Sequence, residues 1–273
     1  MKQLLIVLLC LSQFSAMSQQ IATTNPKYAC PPCDNDCDQL EFEKSGNCTQ
    51  CDMKLILKSK LINYTKSMKK TIAFYLHDGV EVLDFAGPLE VFTISGFEVF
   101  IVSKTTDPII SQGVLKVIPD YSLKNAPKAD ILAFFGGNGA SASKDKEVIK
   151  WIHKQQETVD YFFSVCTGAF FLGQAGLLDN QTVTTFHLSI NSLRESFPKA
   201  KVLSGVRFVD NGKIITTAGI SAGIDGALHL VEKIYGKERA IQTSIYMEYD
   251  KWVPDEGLIL DKSFPSSTTT NKH

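Results

Sequence analysis

The chain has 273 residues, 44% hydrophobic and 21% charged, enough for one sizeable core and an appendage. Its 28 basic and 29 acidic residues leave a net charge of −1 and lie scattered, so there is no basic stripe to hold a polyanion, and nucleic acid is not an expected partner.

Residues 1–18 read as an export signal. Lys2 gives the positive start, Leu4 to Leu11 the apolar stretch, and Ala16-Met17-Ser18 the small-residue cleavage site. The stretch is shorter than the about 20 apolar residues of a spanning helix, so stable membrane insertion is not expected. Leu9 stands where a lipoprotein signal at Cys10 would want a small residue. The expected location of the mature chain is periplasmic or extracellular.

Residues 19–27 form a polar linker, broken by Asn25-Pro26. Residues 28–57 carry five of the seven cysteines and few apolar side chains, so this module needs a staple to fold. Cys30-Pro-Pro-Cys33 and Cys48-Thr-Gln-Cys51 are two CxxC pairs with fourteen residues between them, close to the spacing of tetrahedral sulfur sites for zinc or another soft metal. Cys37 is left over as an alternative ligand or a free thiol. An exported chain meets oxidising conditions, and disulfides are the competing staple. The flanking runs Tyr28-Ala29-Cys30-Pro31 and Gly46 to Leu55 resemble the heavy-metal-binding domain attached to metal-efflux proteins, with Pro32-Cys33 where that domain has Met-His. Residues 58–70 hold five lysines and read as a solvated connector.

From residue 71 to about 250 the pattern is α/β, because short β-rich runs alternate with segments whose apolar residues recur at three and four steps. Strands are predicted at 71–76, 97–103, 130–135, 160–165 and 213–217, and helices at 84–95, 144–156, 167–176, 187–196, 221–235 and 237–248. This order fits a doubly wound, mostly parallel sheet, which gathers its site where the strands lead into their following loops.

Three stretches carry chemistry. In Phe162-Phe163-Ser164-Val165-Cys166-Thr167-Gly168-Ala169 an apolar strand ends at a cysteine and a helix begins, as in a nucleophile elbow. A helix N-terminus there would favour thiolate over thiol; alternatively Cys166 is a buried, inert hydrophobe. In Phe135-Gly136-Gly137-Asn138-Gly139, the Gly137 N–H could join that of Thr167 as an oxyanion hole, or the run could be only a tight turn. Asp84, in Leu83-Asp84-Phe85-Ala86-Gly87-Pro88, either caps a helix whose first turn holds Gly-Pro or serves Cys166 as general acid and base. His77, His187, Ser221 and Asp225 are read as turn, pocket-lining or structural, and capping residues.

Taken in order, LDFAGPLEVF, FFGGNG, SVCTGAFFLGQAGLLD and TTAGISAGIDGALHLVE resemble the ThiJ/PfpI branch of the glutamine-amidotransferase-like superfamily, and within it the isonitrile hydratases. The resemblance covers residues 71–250. It implies a flavodoxin-like α/β sandwich, a homodimer, a small-molecule substrate and no catalytic cofactor. Cys166 would be the nucleophile, Asp84 the acid/base, Gly137 the oxyanion donor and Thr167 a supporting residue. Cys-Thr-Gly matches the hydratase pattern, whereas the peptidase-like branch has histidine directly after its cysteine. The hydratases often place histidine right after the Thr-Thr pair, but here Phe186 intervenes before His187. The resemblance leaves room for a redox or ligand sensor and for a hydrolase- or glyoxalase-like member. A regulator would carry a helix-turn-helix, a pattern not read after residue 255.

Overall fold

The computed structural model describes residues 27–31, 36–60, 69–254, 256–261 and 263. The expected export signal, most of the linker and of the basic connector, and Cys33 lie outside the described residues. The chain divides into two compact units, Met1–Thr65 and Lys66–His273.

In the first unit, strands β1 (Tyr28–Ala29), β2 (Glu41–Phe42) and β3 (Ile56–Leu57) pair antiparallel with β1 in the middle. A single 3-10 turn, Asp36–Gln39, points Cys37 inward. Among the described residues the buried ones are Ala29, Cys30, Pro31, Cys37, Cys48 and Leu55, a core with more sulfur than branched aliphatic groups. So little apolar surface does not offset the entropy of ordering this segment unless the cysteines are cross-linked.

The second unit is a layered α/β domain. In chain order its strands are β4 (Thr71–Tyr75), β5 (Glu98–Ser103), the hairpin β6 (Ile109–Ser111) and β7 (Leu115–Val117), β8 (Tyr121–Ser122), β9 (Ile131–Phe134), β10 (Tyr161–Val165), β11 (Thr182–Val183), β12 (Lys201–Val202), β13 (Phe208–Asp210), β14 (Ile214–Thr217) and β15 (Leu258–Ile259). The helices are α1 (Val82–Ile94), α2 (Ala140–Ser143), α3 (Lys146–Gln155), α4 (Ala169–Gln174), α5 (Ile190–Ser196), α6 (Ala222–Tyr235) and α7 (Lys237–Tyr246).

Eight strands form one sheet in the order β15-β13-β14-β10-β9-β4-β5-β8, parallel throughout except for β13 against β14. Every residue of β9 is buried, which fits a central parallel strand covered on both faces and explains its unbroken apolar run. One face packs Trp151, Ile152, Phe171, Leu172 and Leu193 from α3, α4 and α5; the other packs Phe85, Phe92, Leu228 and Val231 from α1 and α6, and Ala240 from α7. The five predicted strands and six predicted helices all form, within a few residues of the expected ends. Helix α1 begins earlier than the Gly-Pro pair suggests, so that Asp84 lies in its first turn and Pro88 inside it.

The consequence for function is positional. The loops after β14, β10, β9 and β4, four neighbouring strands, emerge side by side, carrying Ala218–Ile220, Cys166, Gly136–Asn138 and, through α1, Asp84. Among the described residues no helix is long and apolar enough to cross a membrane.

Candidate active site

Cys166 is the hinge of the turn between β10 and α4. Val165 is extended, whereas Cys166 has φ +59, a left-handed conformation uncommon for a residue with a Cβ. Such backbone persists only when its neighbours fix it. The Cys166 N–H donates to Ala218 O at 3.1 Å, and the Thr185 hydroxyl donates to Cys166 O at 2.7 Å. Gly168 lets the turn close onto β9, because a Cβ there would lie 2.2 Å from the Phe134 carbonyl oxygen. The residue that results is buried but not sealed, with 6% of its surface exposed.

Asp84 reaches the same point from α1. Its carboxyl does not cap its own helix; one oxygen accepts the Gly136 N–H at 2.9 Å and the other the Ile220 N–H at 3.0 Å. The capping alternative is thereby corrected, since a first-turn carboxylate that joins the loops after β9 and β14 is unavailable to α1. The Cys166 thiol lies close enough to this carboxyl for each to shift the other's protonation. Gly136 has no room for a side chain: a Cβ would sit 2.7 Å from Thr167 N and 2.8 Å from Asp84 Oδ2.

Gly137, at φ +108, bridges to Val80 through Glu81 N–H to Gly136 O (3.0 Å) and Asn138 N–H to Gly79 O (2.9 Å). That bridge does not use the Gly137 N–H. The Gly137 carbonyl accepts a long bond, 3.5 Å, from the Thr167 hydroxyl. Cys166, Asp84, Thr167 and the Gly136–Gly137 pair therefore meet at one sheet edge.

Their electrostatics differ from the expected ionised thiol. Burial, followed by the charge of Asp84, pushes the Cys166 thiol up to about 12, and the Thr167 N–H only partly opposes this. Helix α4 has six residues and starts three positions on, which leaves its dipole a weak lever. Burial likewise lifts Asp84 to about 6, against the pull of the Gly136 and Ile220 amides. Over the range between these values the pair holds one proton, which two acceptors can share.

The remaining candidates fall elsewhere. His77 is buried rather than solvated, with Nδ1 2.8 Å from Asp78 O and Nε2 3.4 Å from Phe135 O; burial holds it below the usual histidine range. Gly139 packs on that ring, where a Cβ would lie 2.5 Å away. His187 is exposed and packs its ring edge-on against Phe186. Ser221 and Asp225 do not cap α6: Asp225, itself buried, accepts Arg207 Nε at 2.7 Å and the Tyr249 hydroxyl at 3.0 Å, and Ser221 Oγ accepts from Arg207 at 3.4 Å. Three contributors escape the sequence reading. Thr185, Gly136 and Ile220 act through backbone contacts, and only the double glycine signals itself in sequence.

In the first unit the Sγ atoms of Cys30, Cys37, Cys48 and Cys51 all lie within 4.8 Å of one another, and none of these cysteines is in a disulfide. Cys30 and Cys51 are 3.2 Å apart, and Cys37 is 3.8 Å from Cys30. A tetrahedral zinc–thiolate centre, with bonds of about 2.3 Å, spaces its sulfurs at about 3.8 Å, so the quartet fits. The backbone N–H groups of Gln50 and Cys51 pull the Cys48 thiol down to about 7.

A doubly wound α/β domain that presents a cysteine on a strained elbow, against a buried carboxyl from the first crossover helix, defines a class of thiol-based domains. The chain belongs to the DJ-1/PfpI family, whose pattern matches residues 70–233. It is 32% identical over 184 residues to the isonitrile hydratase of Pseudomonas putida, spanning 67% of this chain and 79% of that one. It is 25% identical to the HTH-type transcriptional regulator GbdR of Pseudomonas aeruginosa, over 67% of this chain and 51% of the regulator. Among solved structures, a ThiJ/PfpI family protein from Pseudomonas syringae superposes with a TM-score of 0.63 at 29% identity, covering 68% of this chain and 77% of that one. Drosophila melanogaster DJ-1beta shares the fold at a TM-score of 0.60 and 20% identity, covering 66% and 98%.

Proposed function

We propose that the α/β domain is an isonitrile-hydratase-like lyase that adds water to an isocyanide through a covalent bond to Cys166. The observation that carries this reading is the Cys166 thiol facing a carboxyl pinned by two amides, with no third titratable group needed. Asp84 is ionised at neutral pH, so it can take the thiol proton as sulfur attacks the terminal carbon of R–NC and return it to that carbon. The product is an enzyme-bound thioformimidate, R–N=CH–S. Asp84 then takes a proton from water as the oxygen adds to the same carbon; the nitrogen gains a proton, the C–S bond breaks, and R–NH–CHO leaves as the thiol reforms. The balance is one isocyanide and one water to one formamide. The Gly137 and Thr167 N–H groups would face the oxygen during water addition.

A thiol that is 6% exposed and raised to about 12 is a slow partner for peroxide, which favours turnover over redox sensing. The test is formamide release from a simple alkyl isocyanide by the purified chain, lost in Cys166→Ala; an inert wild-type protein would return the domain to ligand sensing. We further propose that the protein is exported, acts as a homodimer, and carries zinc in its first unit. Cys30, Cys37, Cys48 and Cys51 would hold the metal, whose contribution is a four-way thiolate cross-link where apolar packing is scarce.

A further inference from the structure

One turn of the site is held in a conformation that its own sequence disfavours. Ile220 is β-branched and has φ +57, yet its N–H must point at Asp84 Oδ1, 3.0 Å away. A relaxed isoleucine would turn that amide elsewhere, and Asp84 would keep only Gly136. Something outside the turn must therefore hold it.

Arg207 touches the turn twice. Because β13 runs antiparallel to β14, Arg207 stands across from the end of β14, where its carbonyl accepts the Ala218 N–H at 2.8 Å. Ala218 in turn accepts the Cys166 N–H at 3.1 Å. The guanidinium, half-exposed, donates through Nε and Nη2 to Asp225 in the first turn of α6, and through Nη2 to Ser221 Oγ at 3.4 Å. Tyr249 fixes the other oxygen of Asp225 at 3.0 Å. Residues 218 and 221, on either side of Gly219–Ile220, are thus both tied to one arginine. Gly219 is pressed against Phe186, with no room for a Cβ, so the turn has a wall on its other side.

We propose that Arg207 is a positioning residue: with Asp225 it clamps the 218–221 turn in the left-handed form that directs the Ile220 N–H at the Asp84 carboxyl. It touches neither the thiol nor the reacting carbon. This deepens the reading of Asp84 as the proton carrier, and Asp84 can be followed without substrate. The charged and titratable groups around Asp84 are the Cys166 thiol and Glu81; around Arg207 they are Asp225, Tyr249 and Glu256. Loss of the Ile220 amide removes a donor that favours the ionised carboxyl, so Asp84 should take up its proton at a higher pH.

The experiment follows the side-chain carboxyl carbon of Asp84 by NMR in the full chain labelled with 13C-aspartate, the resonance being assigned by its absence in Asp84→Asn. Arg207→Met should move the titration midpoint upward by about one pH unit. Asp225→Asn should do the same, and the double variant no more than either. Arg207→Lys, which keeps the charge but cannot reach both partners, should move it less in the same direction and secures the test if Arg207→Met folds poorly. A midpoint unchanged in folded Arg207→Met or Arg207→Lys overturns the clamp. With an alkyl isocyanide, Arg207→Met should lower kcat and leave KM nearly as it was; a rise in KM alone would make the guanidinium a substrate contact and overturn the proposal. An inactive wild type with a displaced midpoint would sink the hydratase reading and leave the clamp standing.

Discussion

Thr185 donates its hydroxyl to the carbonyl of Cys166 at 2.7 Å, both groups being buried. This bond holds the elbow at its carbonyl, and it is the only side-chain anchor of the Cys166 backbone among the described hydrogen bonds. Thr185→Val keeps the shape and removes one of two hydrogen bonds to the Cys166 carbonyl, the other coming from the Ala169 N–H, at a cost of about 0.5–1.5 kcal/mol. Urea titration should show that loss, and isocyanide turnover should fall more than substrate affinity does.

The shared proton sets a pH profile. Asp84 stands at about 6 and Cys166 at about 12. Below the lower value the carboxyl is already protonated and cannot receive the thiol proton; above it, it can. The rate of Cys166 alkylation by iodoacetamide should therefore rise as pH passes through about 6, level off, and climb again only toward strong alkali. Asp84→Asn should erase the lower step and slow alkylation roughly tenfold at pH 8. The linkage to stability has the matching sign: Asp84 binds its proton more tightly folded than unfolded, so its contribution is fully present in acid and is lost as pH rises through about 6.

Two glycines, one in the β9 loop and one beyond α4, separate space from conformation. Gly136→Ala places a methyl group within 2.8 Å of Thr167 N and Asp84 Oδ2, so it should cut turnover at least tenfold. Gly176 has φ +72 and open space where a methyl group would stand, with nothing within 4 Å, so Gly176→Ala should cost about 1 kcal/mol of stability and leave turnover intact. Melting curves and kcat/KM for the two variants measure the contrast.

Zinc analysis tests the first unit. The intact chain, purified without chelator, should carry one zinc, and Cys37→Ser should lose it, because the sulfur quartet includes Cys37. Chelation should unfold the first unit and leave the α/β domain melting as before.

Much of this architecture is legible in sequence for identifiable reasons. Strands such as Ile131–Phe134 are buried on both faces and announce themselves as unbroken apolar runs, and α6 declares its inner face through Ile224, Leu228 and Val231. Cys166 is marked by the strand before it and the small residues after it. The antiparallel β13, three residues long, and the β6–β7 hairpin carry too few residues for a period to emerge. The thiol's state is misjudged from sequence because helix N-terminal position can be read from a string, whereas burial beside Asp84 comes from residues 82 positions away. The place of Cys37 in the sulfur quartet is hidden for a similar reason: paired CxxC spacing says nothing of it, and the turn Asp36–Gln39 brings it in. The Ile220 amide leaves no trace at all, since it depends on backbone conformation rather than residue type.

The most direct test of the central claim is intact-protein mass spectrometry during a single turnover with excess protein over an alkyl isocyanide. Wild type should gain the mass of one isocyanide on Cys166 and lose it as formamide appears, with Asp84→Asn accumulating or failing to form the adduct and Cys166→Ala forming none. Formamide produced at the wild-type rate by Cys166→Ala would contradict the account.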